Sequence, residues 1–202
     1  MAVNSEAKSS RIGLIIIMLL PIIMIGGATF VYYTGIGMPE GTTNNGQLIE
    51  PPRSIEDIKL QARDGSEYRY NDHIHKWSLI IPALEECNTA CLQTLYFTRQ
   101  VHVALGKEAN GLRRFYLSTQ QSLEPSFAEW LGQEHPQLEV FSTDKGSMDK
   151  LLGQLDGIDY QQGNAYFLVD PTGWVMMVYT DHQTGKQILK DLKFLLKQSG
   201  ER

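Results

Sequence analysis

Apolar and polar positions divide the chain into three stretches. Ile12 to Tyr33 is almost wholly apolar and uncharged over 22 residues, the length a helix needs to cross a bilayer core of about 30 Å. Pro21 is tolerable in such a helix and would kink it. A cleaved signal peptide is the rival reading, with Gly26-Gly27-Ala28 imitating a cleavage site, but its apolar core is only about 7–15 residues. An uncleaved anchor is expected. Thr34 to Pro52 is rich in Gly, Asn, Thr and Pro and reads as a flexible tether, spanning roughly 25 Å at about 5–6 Å × √n.

Beyond the tether the pattern alternates. Ile58, Leu60 and Ala62, the turn Asp64-Gly65, then Tyr68 and Tyr70 predict a hairpin. Trp77 to Ile81 is a continuous apolar run, as in a central strand covered on both faces. A helix of about four or five turns follows, with Leu92, Leu95, Tyr96 and Val103 on one stripe at about 100° per residue and Gly106 ending it. Strands are expected at Phe115–Ser118, Leu138–Ser142, Ala165–Val169 and Trp174–Tyr179, with helices at Ser126–Leu131 and Ser147–Leu155. Asp170-Pro171-Thr172-Gly173 suits a type I turn. A last helix carries Ile188, Leu192, Leu195 and Leu196 on one face and Lys186, Lys190, Lys193 and Lys197 elsewhere. After the hairpin the order is βαβαβαββα, an α/β domain with a mixed central sheet between helices. The expected organisation is a terminus at 1–11, a transmembrane helix at 12–33, a tether at 34–52 and one domain at 53–202.

Charge adds orientation. Lys8 and Arg11 precede the span, and the next basic residue is Arg53. The positive-inside rule then keeps the N-terminus cytoplasmic and exports the domain. In a bacterium the protein is single-pass in the inner membrane, with its C-terminal domain in the periplasm. With 18 basic and 23 acidic residues, the chain has no electrostatic case for nucleic acid. The lipid bilayer, met through residues 12–33, is an expected partner.

The chemistry is concentrated in Glu85-Glu86-Cys87-Asn88-Thr89-Ala90-Cys91, which holds the only two cysteines. A strand, a loop and two thiols at a helix start is how thioredoxin-like proteins present working sulfurs. Residues i and i+4 share a helix face. The helix N-terminus favours thiolate, while two adjacent glutamates oppose it. An exported compartment is oxidising, so the pair can close as a disulfide. As a passive staple so short a loop would contribute only about 2 kcal/mol. Cys87 and Cys91 are therefore the candidate catalytic residues, and the same two thiolates are the candidate soft-metal ligands. His102 lies about 16 Å along the helix from Cys91 at 1.5 Å per residue. His73 and His75 read as loop residues, His135 sits in a turn, and His182 is uncommitted. Met176 and Met177 read as packing.

These residues resemble the SCO/SenC family, membrane-anchored thioredoxin-fold proteins that help build the copper site of cytochrome c oxidase. The carriers are Leu60 through Asp64-Gly65, Lys76-Trp77 with Cys87 ten residues later, the Cys-x-x-x-Cys pair, and Leu168-Val169-Asp170-Pro171-Thr172-Gly173. The wording Asn45–Pro52, Arg99–His102, Ala104–Lys107 and Lys190–Lys193 is similar to a divergent bacterial branch of that family. The resemblance implies a thioredoxin-like fold, copper at Cys87 and Cys91, and a client that is an oxidase subunit or a copper chaperone. It also implies a third copper ligand, a histidine shortly before the late strand. Here Gln162 stands at that position, Leu92 replaces the proline often found after the second cysteine, and Glu85-Glu86 precedes the first. The expectation is a thiol–disulfide protein assisting oxidase assembly and copper-site maturation. A copper metallochaperone and a non-catalytic scaffold subunit are the alternatives.

Overall fold

The computed structural model of the protein describes residues 3–34, 44–72, 76–84 and 86–200. It falls into two compact units, Met1–Thr43 and Asn44–Arg202.

The described residues of the first unit form one helix, α1 (Val3–Thr34), with Pro21 inside it. Its stretch Ile15–Thr34 is long and apolar enough to cross a membrane, and none of it is buried. Thr29 Oγ1 donates to Ile25 O at 2.8 Å. An apolar span tolerates a hydroxyl when it is satisfied within its own helix in this way. Residues 35–43 of the expected tether lie outside the described residues.

The second unit starts inside the stretch expected to be tether. Gln47–Ser54 is strand β1, paired antiparallel with a later strand and shifted in register between Leu48 and Arg53. Pro51 and Pro52 fall within that shift, which hid the strand in the sequence. Proline cannot donate to a ladder and is confined to edges and bulges, and β1 is an edge. The hairpin is β2 (Leu60–Ala62) and β3 (Glu67–Tyr68). Gly65 takes φ +82° between them.

The chain then runs β4 (Trp77–Ala83), α2 (Thr89–Ala104), β5 (Leu112–Ser118), α3 (Pro125–Glu134), β6 (Leu138–Ser142), α4 (Lys145–Leu152), β7 (Tyr166–Val169), β8 (Trp174–Tyr179) and α5 (Gly185–Gly200). The sheet order is β1-β8-β7-β4-β5-β6-β2-β3. β4, β5 and β6 are parallel, and β7 and β8 return antiparallel. Every residue of β4 is buried, as its unbroken apolar run requires of a strand covered on both faces. Ile80, Phe115, Leu117 and Phe167 pack with Met148, Leu151 and Leu152 of α4 on one face. Leu79, Ile81, Tyr116 and Leu168 pack on the other with Leu95, Leu131, Ile188 and Leu192 of α2, α3 and α5.

The expected stripe on α2 is corrected. Leu95 is buried, but Leu92, Tyr96 and Val103 are exposed. The buried face is instead Cys91, Thr94, Leu95, Thr98 and Val101. Thr98 can be inside because Oγ1 donates to Thr94 O at 2.8 Å and accepts from Arg114 Nη2 at 2.9 Å. A satisfied hydroxyl escapes the cost of burial.

Candidate functional site

The site forms where β4 ends and α2 begins. Asn88 caps α2 with extended backbone, and its Oδ1 accepts from Cys91 N at 2.9 Å. An asparagine here satisfies one of the first-turn N–H groups that no helical carbonyl can reach. Cys87 thus lies just before the cap and Cys91 in the first turn. Their sulfurs are joined, with Cα atoms 5.2 Å apart. The two are unequally reachable. Cys87 is half-buried, whereas Cys91 is 2% exposed. Glu86 is exposed beside them, and Glu85 lies outside the described residues.

A second segment closes over the pair. Asp159 caps a short 3-10 turn, Tyr160–Gln162, ahead of β7. Gly163 follows at φ +82°. Asn88 Nδ2 donates to Gln162 O at 3.2 Å, and Thr94 Oγ1 donates to Gly163 O at 2.9 Å. A Cβ on Gly163 would sit 2.7 Å from Asn88 Oδ1, 3.0 Å from Cys91 N and 3.2 Å from Cys91 Cβ. Glycine is needed here twice, for the left-handed backbone and for the close approach. The structure thereby brings Gln162, the residue matched to the family histidine, against Asn88 at the start of α2. Its backbone carbonyl is bonded there, and the residue is exposed.

Asn88, Thr94 and Gly163 were not singled out in the sequence. Asn88 had a signal, since asparagine just before a helical pattern reads as a cap. Thr94 and Gly163 had none, because their contact joins residues 69 apart in the chain.

The histidines do not join the site. His102 Nε2 lies 3.1 Å from Leu112 O, and burial pushes its pKa down. His135 ends α3, 4% exposed and edge-on to Trp130. Burial first, then the Arg114 and Arg99 guanidinium groups, push its pKa down to about 4. His182 is exposed, and His73 and His75 lie outside the described residues. Among the described residues no group of three or more His, Cys, Asp or Glu side chains could hold a metal ion. Two thiolates beside a neutral amide, Gln162, do not make the donor set that holds Cu(I) firmly, which favours a further thiolate, thioether or imidazole.

As a sulfur site the arrangement is complete. The open end of α2 points backbone N–H groups and the positive end of its dipole at the pair, which favours thiolate in the reduced form. One sulfur is open to a partner and the other is sheltered behind it.

Comparison with known proteins agrees with this frame. A family model described as transmembrane-like, thioredoxin-like, C-terminal domain matches residues 77–199. No curated protein matches the chain. Among solved structures, yeast Sco1 with copper bound is 14% identical, covering 78% of this chain and 95% of its own, with a TM-score of 0.57. A SCO1/SenC family lipoprotein from Bacillus anthracis is 14% identical, covering 79% and 99%, with a TM-score of 0.53. BsSco, described as a member of the Sco family of cytochrome c oxidase assembly proteins with a disulfide switch, is 16% identical, covering 74% and 98%, with a TM-score of 0.53. At these identities the likeness is one of fold.

Proposed function

The chain belongs to the family of transmembrane-like, thioredoxin-like C-terminal domains, and from that premise we propose that it is a membrane-anchored thiol–disulfide protein of the periplasm. Its client is a disulfide in a cytochrome c oxidase subunit or in a copper chaperone serving that oxidase. The observation that carries the reading is the asymmetry of the pair, with Cys87 half-buried before the helix cap and Cys91 2% exposed behind it. In the reduced protein the Cys87 thiolate attacks a client sulfur, and the client's S–S bond breaks with release of one client thiolate. The Cys91 thiolate then attacks Cys87 Sγ, which frees the second client thiolate and closes the Cys87–Cys91 bond. Two electrons pass from the pair to the client. The apolar stretch Ile15–Thr34 of α1 supports the anchor, and the basic residues Lys8 and Arg11 ahead of that stretch support export of the rest.

Fold neighbours include a protein with copper bound and a cytochrome c oxidase assembly protein, which supports the oxidase as the setting. No step through copper is drawn, because the donor set around the pair does not fit it. The test is the pair's reduction potential together with trapping by Cys91→Ala, which removes the resolving thiol. A trapped mixed disulfide and a potential in the range of working pairs, about −120 to −270 mV, are expected. A potential far below about −300 mV with no trapped client would show an inert bridge. Stoichiometric copper binding by the reduced protein that Cys87→Ser abolishes would instead favour the metallochaperone.

A further inference from the structure

The outer face of α5 is a row of cations. Lys186, Lys190, Lys193 and Lys197 stand at i, i+4, i+7 and i+11, within about 60° of one another at about 100° per residue. The row is roughly 16 Å long at about 1.5 Å per residue. All four are exposed, while Ile188, Asp191, Leu192 and Leu196 are buried on the other side of the helix. No ion pair among the described residues involves any of the four lysines. The one acidic residue of α5, Asp191, is turned inward and accepts from Asn45, Gly46 and Tyr179. Phe194 lies beside the row, 57% exposed. This basic face belongs to a chain whose net charge is −5.

A face that served only solubility would mix both signs of charge. Like charges three and four residues apart on a helix repel and destabilise it, and an exposed phenylalanine adds nothing to solubility. Cations in a row beside an aromatic ring fit a partner that is anionic at its surface and apolar beneath. Anionic lipid has that chemistry. The course of the chain supports the same partner, because the chain enters the domain on α5. Asn45 N donates to Asp191 Oδ2 at 2.7 Å, and Asn45 Nδ2 donates to Gln187 O at 3.3 Å. Only residues 35–44 separate Asn45 from the end of the apolar stretch Ile15–Thr34. Fully extended, that length reaches at most about 40 Å. The anchor therefore holds α5 near a lipid surface at high effective concentration, where weak contacts suffice.

We infer that the outer face of α5, with Lys186, Lys190, Lys193, Lys197 and Phe194, docks on the anionic lipid headgroups of the membrane that holds the anchor. The lysines meet the headgroups, and the Phe194 ring enters the boundary beneath them. Docking confines the domain to one orientation, so Cys87 is presented to clients at one height above the bilayer. The inference rests on the membrane anchoring proposed above and not on the thiol chemistry.

The test uses the full-length protein in lipid nanodiscs, made of phosphatidylcholine alone or of equal parts phosphatidylcholine and phosphatidylglycerol. Both carry brominated phosphatidylcholine, which quenches tryptophan on contact. Phe194→Trp places a reporter on the face, and the signal of the same chain with Phe194 is subtracted. Quenching of the reporter is expected to be at least three-fold greater in the anionic discs. It should be lost in about 1 M salt, where charges are screened beyond about 3 Å, and lost in Lys190→Gln/Lys193→Gln. That double variant should keep the thermal midpoint or raise it, since neither lysine forms an ion pair and the two repel each other. Quenching that is absent, equal in the two membranes or kept in the double variant overturns the docking and leaves the anchor and the thiol function standing. Quenching lost together with a lowered midpoint and altered near-UV dichroism also overturns it, because the lysines would then be structural. A chain that does not enter the discs overturns the anchor and the docking together.

Discussion

Two polar clusters in the folded domain, at opposite ends of chemical completeness, show where structure stops and function starts. The first is built on Asp191 of α5. This carboxylate is 6% exposed. It accepts from Asn45 N at 2.7 Å, Asn45 Nδ2 at 2.7 Å, Gly46 N at 3.2 Å and Tyr179 Oη at 3.3 Å. Every contact is internal, and the cluster clasps the start of the domain to its last helix and to β8. The second is the cysteine end of α2, where Asn88 and Thr94 pin the 162–163 turn while Cys87, Glu86 and Gln162 stay reachable. A buried charge answered on all sides contributes to the fold. A cap and a sealing loop that leave one sulfur open hold that sulfur for something else.

The largest effect should come from breaking the closed cluster. Asp191→Asn removes the charge and turns an NH2 toward donors that need an acceptor. Losing a buried, multiply bonded carboxylate costs about 3 kcal/mol. Urea unfolding followed by tryptophan fluorescence should show that loss with an unchanged slope. The reduction potential of the Cys87–Cys91 pair should stay within a few millivolts of the wild type. A large shift in potential would mean that the two clusters are coupled and the contrast is false.

Gly163→Ala is the converse. A left-handed alanine costs about 1–3 kcal/mol, and the new Cβ would press on Asn88 Oδ1 and Cys91 N. A loss of about 2 kcal/mol is expected, smaller than at Asp191. Because the pressure falls on Cys91, the potential should move by about 30 mV or more, the two-electron equivalent of about 1.4 kcal/mol. Loss of stability without a shift in potential would show that the turn supports the fold and leaves the pair alone.

Acid gives a way to change stability away from both clusters. His135 is buried and feels the Arg114 and Arg99 guanidinium groups, with Glu134 pulling weakly the other way. Its pKa lies at about 4 in the folded chain, against about 6.5 when unfolded. The unfolded chain therefore binds the proton first. The stability from keeping this ring neutral is fully present above about pH 6.5 and is lost as pH falls towards 4. On the order of 1–2 kcal/mol should disappear across that window and be retained in His135→Gln. Equal losses in both proteins would assign the acid sensitivity to another group.

These contrasts bear on how much could be read from the chain itself. The order of strands and helices from β2 to α5 was legible, because Trp77–Ile81 is unbroken apolar sequence and Gly65 and Gly173 mark their turns. The cysteine pair was legible for its spacing, and α1 for its length. β1 was not, since Pro51 and Pro52 argue against a strand anywhere but at an edge or bulge. The inward face of α2 was not either. It is lined by Cys91, Thr94 and Thr98, and the two threonine hydroxyls are satisfied by partners from the 163 turn and from β5, while Leu92, Tyr96 and Val103 face outward. Periodicity counts apolar residues and does not register a threonine that a distant carbonyl makes cheap to bury. Arg114 shows the same blindness. It sits in β5 at 2% exposure, with Nη2 donating to Leu95 O at 2.8 Å. Nothing local in Leu112–Ser118 announces a buried guanidinium.

The smallest expected effect falls on the residue that joins cap and turn. Asn88→Ala removes the bond to Cys91 N and the bond to Gln162 O. An N-cap substitution of this kind costs about 1 kcal/mol. Asn88→Asp keeps the cap acceptor but cannot donate to Gln162 O, so the pair of variants divides Asn88 into its two roles. If the cap alone matters, Asn88→Asp should restore both stability and the rate at which Cys87 exchanges with a small disulfide, apart from the slowing that a carboxylate beside a thiolate brings by raising its pKa. That slowing is read from the pH–rate profile, where it moves the midpoint without lowering the plateau. If the bond to Gln162 also holds the turn over the sulfurs, Asn88→Asp should regain stability but keep a lowered plateau. The second result is expected here, because Gly163 leaves no slack between the turn and Cys91, and a recovered plateau would reduce Asn88 to a helix cap.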